Sequence, residues 1–379
     1  MKGKITLDRV IAFLKIYLAF ACCWPLSPNA TRLQRLRRDA LRCLCFANST
    51  IFSIVMIYTI CKRSDDILLV MKVGCQLSVS AQIPLQMLLF AMQNKRLQSI
   101  TSIMEDYYRQ ALKYEREIFQ KYIDKCKLLY AIFITAGGIL SWLMMTGISV
   151  AIGPLFLPQP FPGEAEYPFD AQYQPVKSII YAHHLLLIYQ SVTQVGANTF
   201  AALLLWFVAA RFDILSVRIR MITNIKQLVK CTHEHNMLLR FAKEVTYAIR
   251  YVALLCVTFS TGGVIFGCLT FMSRQPWSVK WTFLMIAFCS FVELYMFAWP
   301  ADNVINTSND VASAAYDSLW YNNNVAMQKI LIYVILRSQR SVTISIPLAL
   351  PNLSMNYYAS YISTVFSYMA FVRIIMGEE

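Results

Sequence analysis

Long apolar runs recur along this chain, and they constrain its fold more than any other feature. Runs at 40–60, 67–92, 128–152, 178–210, 251–272, 279–300 and 353–376 are each long enough, at about 1.5 Å per helical residue, to cross the roughly 30 Å core of a bilayer. With 57% hydrophobic and 15% charged residues and a mean hydropathy of +0.48, the chain is far more apolar than a soluble protein. The reading is an all-α membrane protein with seven transmembrane helices.

The net charge of +14 does not point to nucleic acid, because the basic residues collect in particular links. They fill the N-terminal segment (Lys2, Lys4, Arg9, Lys15, Arg32, Arg35, Arg37, Arg38), the stretch 94–127 and the helical stretch Arg211–Arg250. The loop 153–177 is instead rich in Pro and aromatics and carries Glu164, Glu166 and Asp170 against Lys177. With alternating spans the three basic segments share one side, and the positive-inside rule makes that side cytoplasmic. The N-terminus is then cytoplasmic and the C-terminus extracellular. A G-protein-coupled receptor has the opposite orientation, and its Asp-Arg-Tyr and Asn-Pro-x-x-Tyr marks are missing here. The amphipathic stretch 5–20 reads as a short helix at the cytoplasmic interface, with no cleavable signal peptide.

No catalytic constellation is legible. The histidines form two pairs, His183 with His184 and His233 with His235. Neither completes the three or four ligands of a zinc site, so no metal and no cofactor are expected. Gly137–Gly138 and Gly262–Gly263 lie in apolar helices as close-packing positions. Most cysteines, such as Cys45, Cys75 and Cys256, lie in apolar runs as small hydrophobes, while Cys22–Cys23 is a candidate for palmitoylation. The sequons at Asn29, Asn48, Asn306 and Asn352 fall off the outer face and should stay unmodified. Glu293, an acid within a span, is either functional or close enough to the inner end to reach water or a cytoplasmic Arg.

The region from Asp302 to Met376 is the most distinctive. A polar, helix-compatible stretch at 310–321 leads to the apolar run Lys329–Leu336, a charged break at Arg337–Arg340 and the last apolar segment. Ser360, Thr364 and Ser367 recur at helical spacing and continue into Phe371, Ile374 and Ile375. That face fits a wall shared by several subunits around a pore; it also fits a last helix packed against its own bundle.

These residues resemble the insect odorant receptor family, in particular an odour-tuning subunit. The resemblance lies in Leu294–Tyr295 through Trp299 and Asp302, Ser313–Tyr316 with Trp320–Tyr321, Leu336–Gln339, Phe366–Tyr368, and the loop Tyr167–Asp170 with Pro175. The short 211–250 stretch lacks the long insertion of the shared co-receptor subunit. The resemblance implies a single transmembrane domain over 1–379. It divides into an N-terminal segment at 1–38, helices one to six over 39–300, a helical cytoplasmic anchor over 301–340 and a pore-lining terminal helix with its tail over 341–379.

It further implies a ligand-gated, non-selective cation channel, not an enzyme, built as a heterotetramer with the odorant co-receptor. Such a channel would sit in the plasma membrane of sensory-neuron dendrites and bind a small volatile organic ligand; membrane lipid, and no nucleic acid, would be its other contact. The family's ligand pocket maps to Val73, Gln76, Leu77, Gly138, Trp142, Met145, Ile188, Phe283 and Phe288. Its gate maps to Phe371, Ile374 and Ile375 above Ser360, Thr364 and Ser367, and its subunit anchor to Tyr316, Trp320 and Leu336. A gustatory receptor channel of the same superfamily and a metabotropic G-protein-coupled receptor are the alternatives.

Overall fold

One helix, α6 (Val176–Arg220), is enclosed by the others, and its sequence explains why. From Gly196 to Ala210 nearly every residue is buried, including Phe200, Trp206 and Phe207. A helix apolar all round can only be a core helix. The computed structural model describes residues 6–20, 24–26, 30–142, 165–171, 173–273, 275–318, 320–322 and 324–377.

Around α6 run α1 (Leu7–Phe20), α2 (Arg32–Lys62), α3 (Ile67–Met92), α4 (Asn94–Gln110), α5 (Lys113–Trp142), α7 (Ile225–Met272) and α8 (Trp277–Tyr316). A 3-10 turn at Trp320–Asn322, then α9 (Val325–Ser338) and α10 (Met355–Gly377), complete the chain. Among the described residues the exception to helix and turn is an isolated antiparallel bridge, Ile346 to Leu350. Helix starts follow capping chemistry. Thr31 and Gln34 form a reciprocal capping box for α2, and Asp66, Asn224 and Asn324 accept backbone N–H groups opening α3, α7 and α9.

Five helices among the described residues are long and apolar enough to cross a membrane: α2, α3, α6, α7 and α8. The two further spans expected from sequence correspond to α5, whose apolar run continues past Trp142 outside the described residues, and to the 23-residue α10. The bounds of α3 coincide with the sequence reading. Three others differ in one respect: α6, α7 and α8 have 45, 48 and 40 residues, roughly twice the length a bilayer needs. The basic stretch 211–250 and the polar stretch 301–316 are therefore continuations of spans, not separate elements. Charge changes the solvent of a helix without ending it, and even Pro300 lies inside α8.

The N-terminal helix also departs from expectation. Its apolar face (Leu7, Ile11, Leu14, Leu18) is buried in the main core instead of lying in a lipid interface, and α1 packs on α6. Tyr17 donates to the Val192 carbonyl at 2.8 Å across the position of Gly196. A Cβ added at Gly196 would lie 2.3 Å from two ring carbons of Tyr17.

Replacing Gly196 with Ala should therefore displace Tyr17, costing about 1–3 kcal/mol by overpacking. The expected result in thermal unfolding of the full chain is a lower midpoint for Gly196→Ala. In a Tyr17→Ala background the same change should cost much less. Equal costs in both backgrounds would show that the contact does not hold α1 in place.

Candidate functional site

The most developed polar site lies inside the bundle, around Glu293 on α8. Gln82 of α3 donates to the carboxylate oxygen Oε1 at 2.9 Å, Asn198 of α6 donates to the same oxygen, and Ser260 of α7 reaches Oε2 at 3.3 Å. The sequence left two simple outlets for this acid, water or a cytoplasmic Arg. The structure gives it amide and hydroxyl donors from three other helices instead. A carboxylate only accepts, so Asn198 must turn its NH₂ toward Glu293, and its own oxygen then accepts from Gln86 at 2.7 Å. Gln86, also buried, is left with an Oε1 that has no hydrogen-bond partner. Sequence reading identified Glu293 and missed these partners. Their available signal was amide side chains at 82, 86 and 198 within otherwise apolar runs.

Close helix approach surrounds this cluster. Cβ atoms built at Gly262, Gly263 and Gly267 of α7 would meet Ser78 Oγ at 2.6 Å, Ser290 Oγ at 2.8 Å and the Phe283 carbonyl at 2.9 Å. Small residues thus bring α3, α7 and α8 together. On α8, residues two positions either side of Glu293 meet the terminal helix. Tyr358 donates to the Phe291 carbonyl at 3.3 Å, and the Tyr295 and Tyr358 rings lie 5.5 Å apart. Asp302 accepts from the Met355 N–H at 3.2 Å, which caps the start of α10.

The candidate gate residues on α10 share a face. Ser360, Thr364, Ser367, Phe371 and Ile374 are all exposed, while Val365 is buried against α7 and α8. Thr364 and Ser367 return their hydroxyl protons to the helix's own carbonyls, leaving oxygen lone pairs outward. The side chain of Ile375 lies outside the described residues.

The candidate ligand residues are more dispersed. Val73, Ile188 and Phe283 are buried, and Gln76 and Leu77 are half-buried. Phe288 is 58% exposed on a different face of α8 from Phe283. Gly138 and Trp142 fall on α5 where their surroundings are outside what the structure describes, and Met145 lies outside the described residues altogether. At the acidic end, the short segment 165–171 is tied down firmly. The Glu166 N–H bonds Thr59 at 2.9 Å, Tyr167 meets His184 at 2.9 Å, and the Glu166 carboxylate pairs with Lys62 and Arg63 at 3.0 and 2.8 Å. The Lys62 ammonium foremost, with Arg63, holds that carboxyl below the usual carboxylate range.

At the basic end, Arg218 of α6 bridges Glu115 and Glu234 and donates to the Tyr114 hydroxyl at 2.9 Å. His233 is exposed and His235 buried beside Phe212, so the two do not converge. Burial, helped by Arg337, pushes the His235 imidazole down to about 4. The candidate anchor residues Tyr316, Trp320 and Leu336 are exposed. The Tyr316 and Trp320 rings lie 6.3 Å apart. Helix α9 buries Met327, Leu331 and Val334 and leaves Ile332, Tyr333 and Leu336 uncovered.

Residues 66–366 match the family model described as 7tm Odorant receptor. Over 147 residues the chain is 22% identical to odorant receptor 22c of Drosophila melanogaster, covering 39% of this chain and 36% of that one. It is also 22% identical over 149 residues to odorant receptor 10 of Aedes albopictus, covering 39% of each. These alignments span under two fifths of the relatives' own lengths. In fold it is similar to the insect olfactory receptor OR5 from Machilis hrabei in complex with eugenol, with TM-score 0.83 and 16% identity over 97% of this chain and 98% of that one. The same receptor without that complex gives TM-score 0.81 at 16% identity over the same shares of the two chains.

The Glu293 cluster makes a sharp contrast between two substitutions. Glu293→Leu leaves the Gln82 and Asn198 donors unpaired, at roughly 1–3 kcal/mol per group, and should lower the thermal midpoint and the folded yield. Glu293→Gln keeps an acceptor and should fall close to wild type. A leucine variant as stable as the glutamine variant would mean that the amide cage is not built around this acid.

Proposed function

The chain belongs to the 7tm odorant receptor family, and we propose that it is an odour-tuning subunit forming a ligand-gated, non-selective cation channel with the family's co-receptor. As a member it is an odorant-binding, multi-pass seven-helix receptor of the insect odorant receptor channel superfamily, not an enzyme. The finer reading places it as part of a heterotetramer in the plasma membrane of sensory-neuron dendrites, with its N-terminus cytoplasmic and C-terminus outside. Two charge features support that orientation: the Glu166 segment lies at one end of the bundle, and Arg218, Arg220 and Lys226 lie at the other.

The observation that carries the channel reading is the uncovered face of α10. A terminal helix whose own bundle takes only its Val365 side leaves Ser360, Thr364 and Ser367 available to a wet passage, with Phe371 and Ile374 beyond them. Bulky apolar residues converging on an axis close a pore by expelling water. The uncovered apolar side of α9, with Tyr316 and Trp320 beside it, supports contact with a neighbouring subunit at the basic end. For the odorant, the buried Val73, Ile188 and Phe283 and the half-buried Gln76 and Leu77 supply the side-chain types of a largely apolar site with one polar group. Gly138, Trp142, Met145 and Phe288 complete the proposed set.

The test is current recording from cells expressing the chain with and without the co-receptor while odorants are applied. Responses should require the co-receptor and persist when G-protein signalling is blocked. Leu336→Glu, on the uncovered face of α9, should abolish co-purification with the co-receptor while leaving the chain monodisperse. Responses that vanish on G-protein blockade would favour the metabotropic reading. Strong responses without the co-receptor would remove the heteromer.

A further inference from the structure

The first turns of α2 carry a charge pattern that the fold leaves uncovered. Residues 32–42 hold five arginines and one aspartate, and residues 43–61 then hold no charged residue. That uncharged stretch measures about 28 Å along a helix, close to the thickness of a bilayer's hydrocarbon core. At its far end Lys62 and Arg63 pair with Glu166. The arginines therefore stand at headgroup height on the opposite side, at the basic end of the bundle.

Packing sets how this segment faces. Cys45, Asn48, Phe52 and Met56 are buried and mark the inner side of α2. At about 100° per residue, Leu33, Leu36, Ala40 and Leu44 fall on the opposite side. All four are exposed, Leu33 and Leu36 by 74% and 67%, and Arg32 and Arg37 flank them. The single acid, Asp39, is engaged by Arg38 at 3.2 Å and Arg42 at 3.8 Å. Arg38 also donates to Asn94 at 3.3 Å, which fastens the segment to the start of α4 beside the exposed Lys95. Among the described residues neither Arg32 nor Arg37 has an acidic partner.

A guanidinium is a planar fork of donors that matches a phosphate, and arginine in place of lysine favours such paired contacts. Arg32, Arg35 and Arg37 emerge within about 8 Å of helix rise, a spacing that more than one phosphate on a single headgroup can meet. The leucine side between them is suited to hydrocarbon, not to water. We propose that the start of α2 binds a membrane phospholipid with a multiply phosphorylated inositol headgroup. Its phosphates accept from Arg32 and Arg37, with Arg35 and Lys95 adding to the positive field, and its acyl chains lie along Leu36, Ala40 and Leu44. The bond from Arg38 to Asn94 places this lipid where α2 meets the junction of α3 and α4. The site rests on the channel reading only for the name of its leaflet, the cytoplasmic one.

The experiment uses the full-length chain in phosphatidylcholine nanodiscs, a phosphatidylinositol bisphosphate with a diazirine in its acyl chain as photolabel, and mass spectrometry to locate the adducts. Adducts are expected within 32–44. Replacing Arg32 and Arg37 together by Gln should weaken labelling about thirtyfold, as two basic residues at a membrane surface imply. Replacing Lys226 and Lys230 together by Gln removes the same charge from exposed positions on α7 and should leave labelling unchanged. Phosphatidylserine at matched headgroup charge, and the soluble headgroup inositol trisphosphate, should each compete poorly. Adducts confined to other helices, equal loss in the two double variants, or full competition by either competitor would overturn the site. If the arginine variant is not monodisperse, adduct position and competition in the wild-type chain decide alone. Both leaflets of a nanodisc carry the label, and no odorant, co-receptor or current enters the measurement, so its failure and the failure of the channel reading are separable.

Discussion

The Glu293 carboxylate is the constraint on which the membrane part of this structure is hung. An acid at that depth must find donors or be expelled, and among the described residues the partners of its carboxylate are neutral. Gln82, Asn198 and Ser260 supply them from three other helices. Each donor is useful only if its helix stands at the right height and rotation, so one side chain specifies the mutual register of α3, α6, α7 and α8. The glycines of α7 allow the approach that such short side chains need. The same stretch of α8 touches α10 through Phe291 and Tyr295. A change in how these helices meet is thereby placed beside the terminal helix.

Helix length is the second organising fact. Because α6, α7 and α8 run unbroken past the apolar spans, the basic end of the bundle is rigidly continuous with its membrane part. Arg218 with Glu115 and Glu234 on α6, α5 and α7, and Asp302 capping α10 from α8, fasten that continuity. The uncovered apolar side of α9 and the uncovered hydroxyl face of α10 share α8 as a support, since both helices pack on it.

Much of this was legible in the sequence, and what was not has physical causes. The apolar run of α3 is bounded by Asp66 and Gln93 and was readable to the residue, and the face of α10 followed from spacing alone. Helix continuity was not readable at 211–220 or 301–316, since a change from apolar to charged residues looks like a boundary although no backbone signal ends the helix there. The pattern Leu7, Ile11, Leu14, Leu18 states that one face of α1 is apolar, but lipid and protein satisfy it equally; Gly196 beneath Tyr17 decides for protein, and only coordinates bring those two together. Gln82 and Asn198 lie far from Glu293 and from each other in the chain, and one-dimensional reading offers no way to converge them on that acid. Among the candidate odorant residues, burial separates Phe283 from Phe288, a distinction that two aromatics in one apolar run do not reveal.

The central claim is that the uncovered face of the terminal helix lines the ion path. It is tested most directly by introducing single cysteines at Ser360, Thr364 and Ser367, with Phe366 and Tyr368 as neighbours on other faces, in a background cleared of reactive thiols. A membrane-impermeant, cationic thiol reagent is applied during odorant-evoked current. The account predicts irreversible loss of current at Ser360→Cys, Thr364→Cys and Ser367→Cys, faster with odorant than without, and little change at Phe366→Cys and Tyr368→Cys. Modification without effect on current at all five positions, or block at Phe366→Cys and Tyr368→Cys alone, would contradict it.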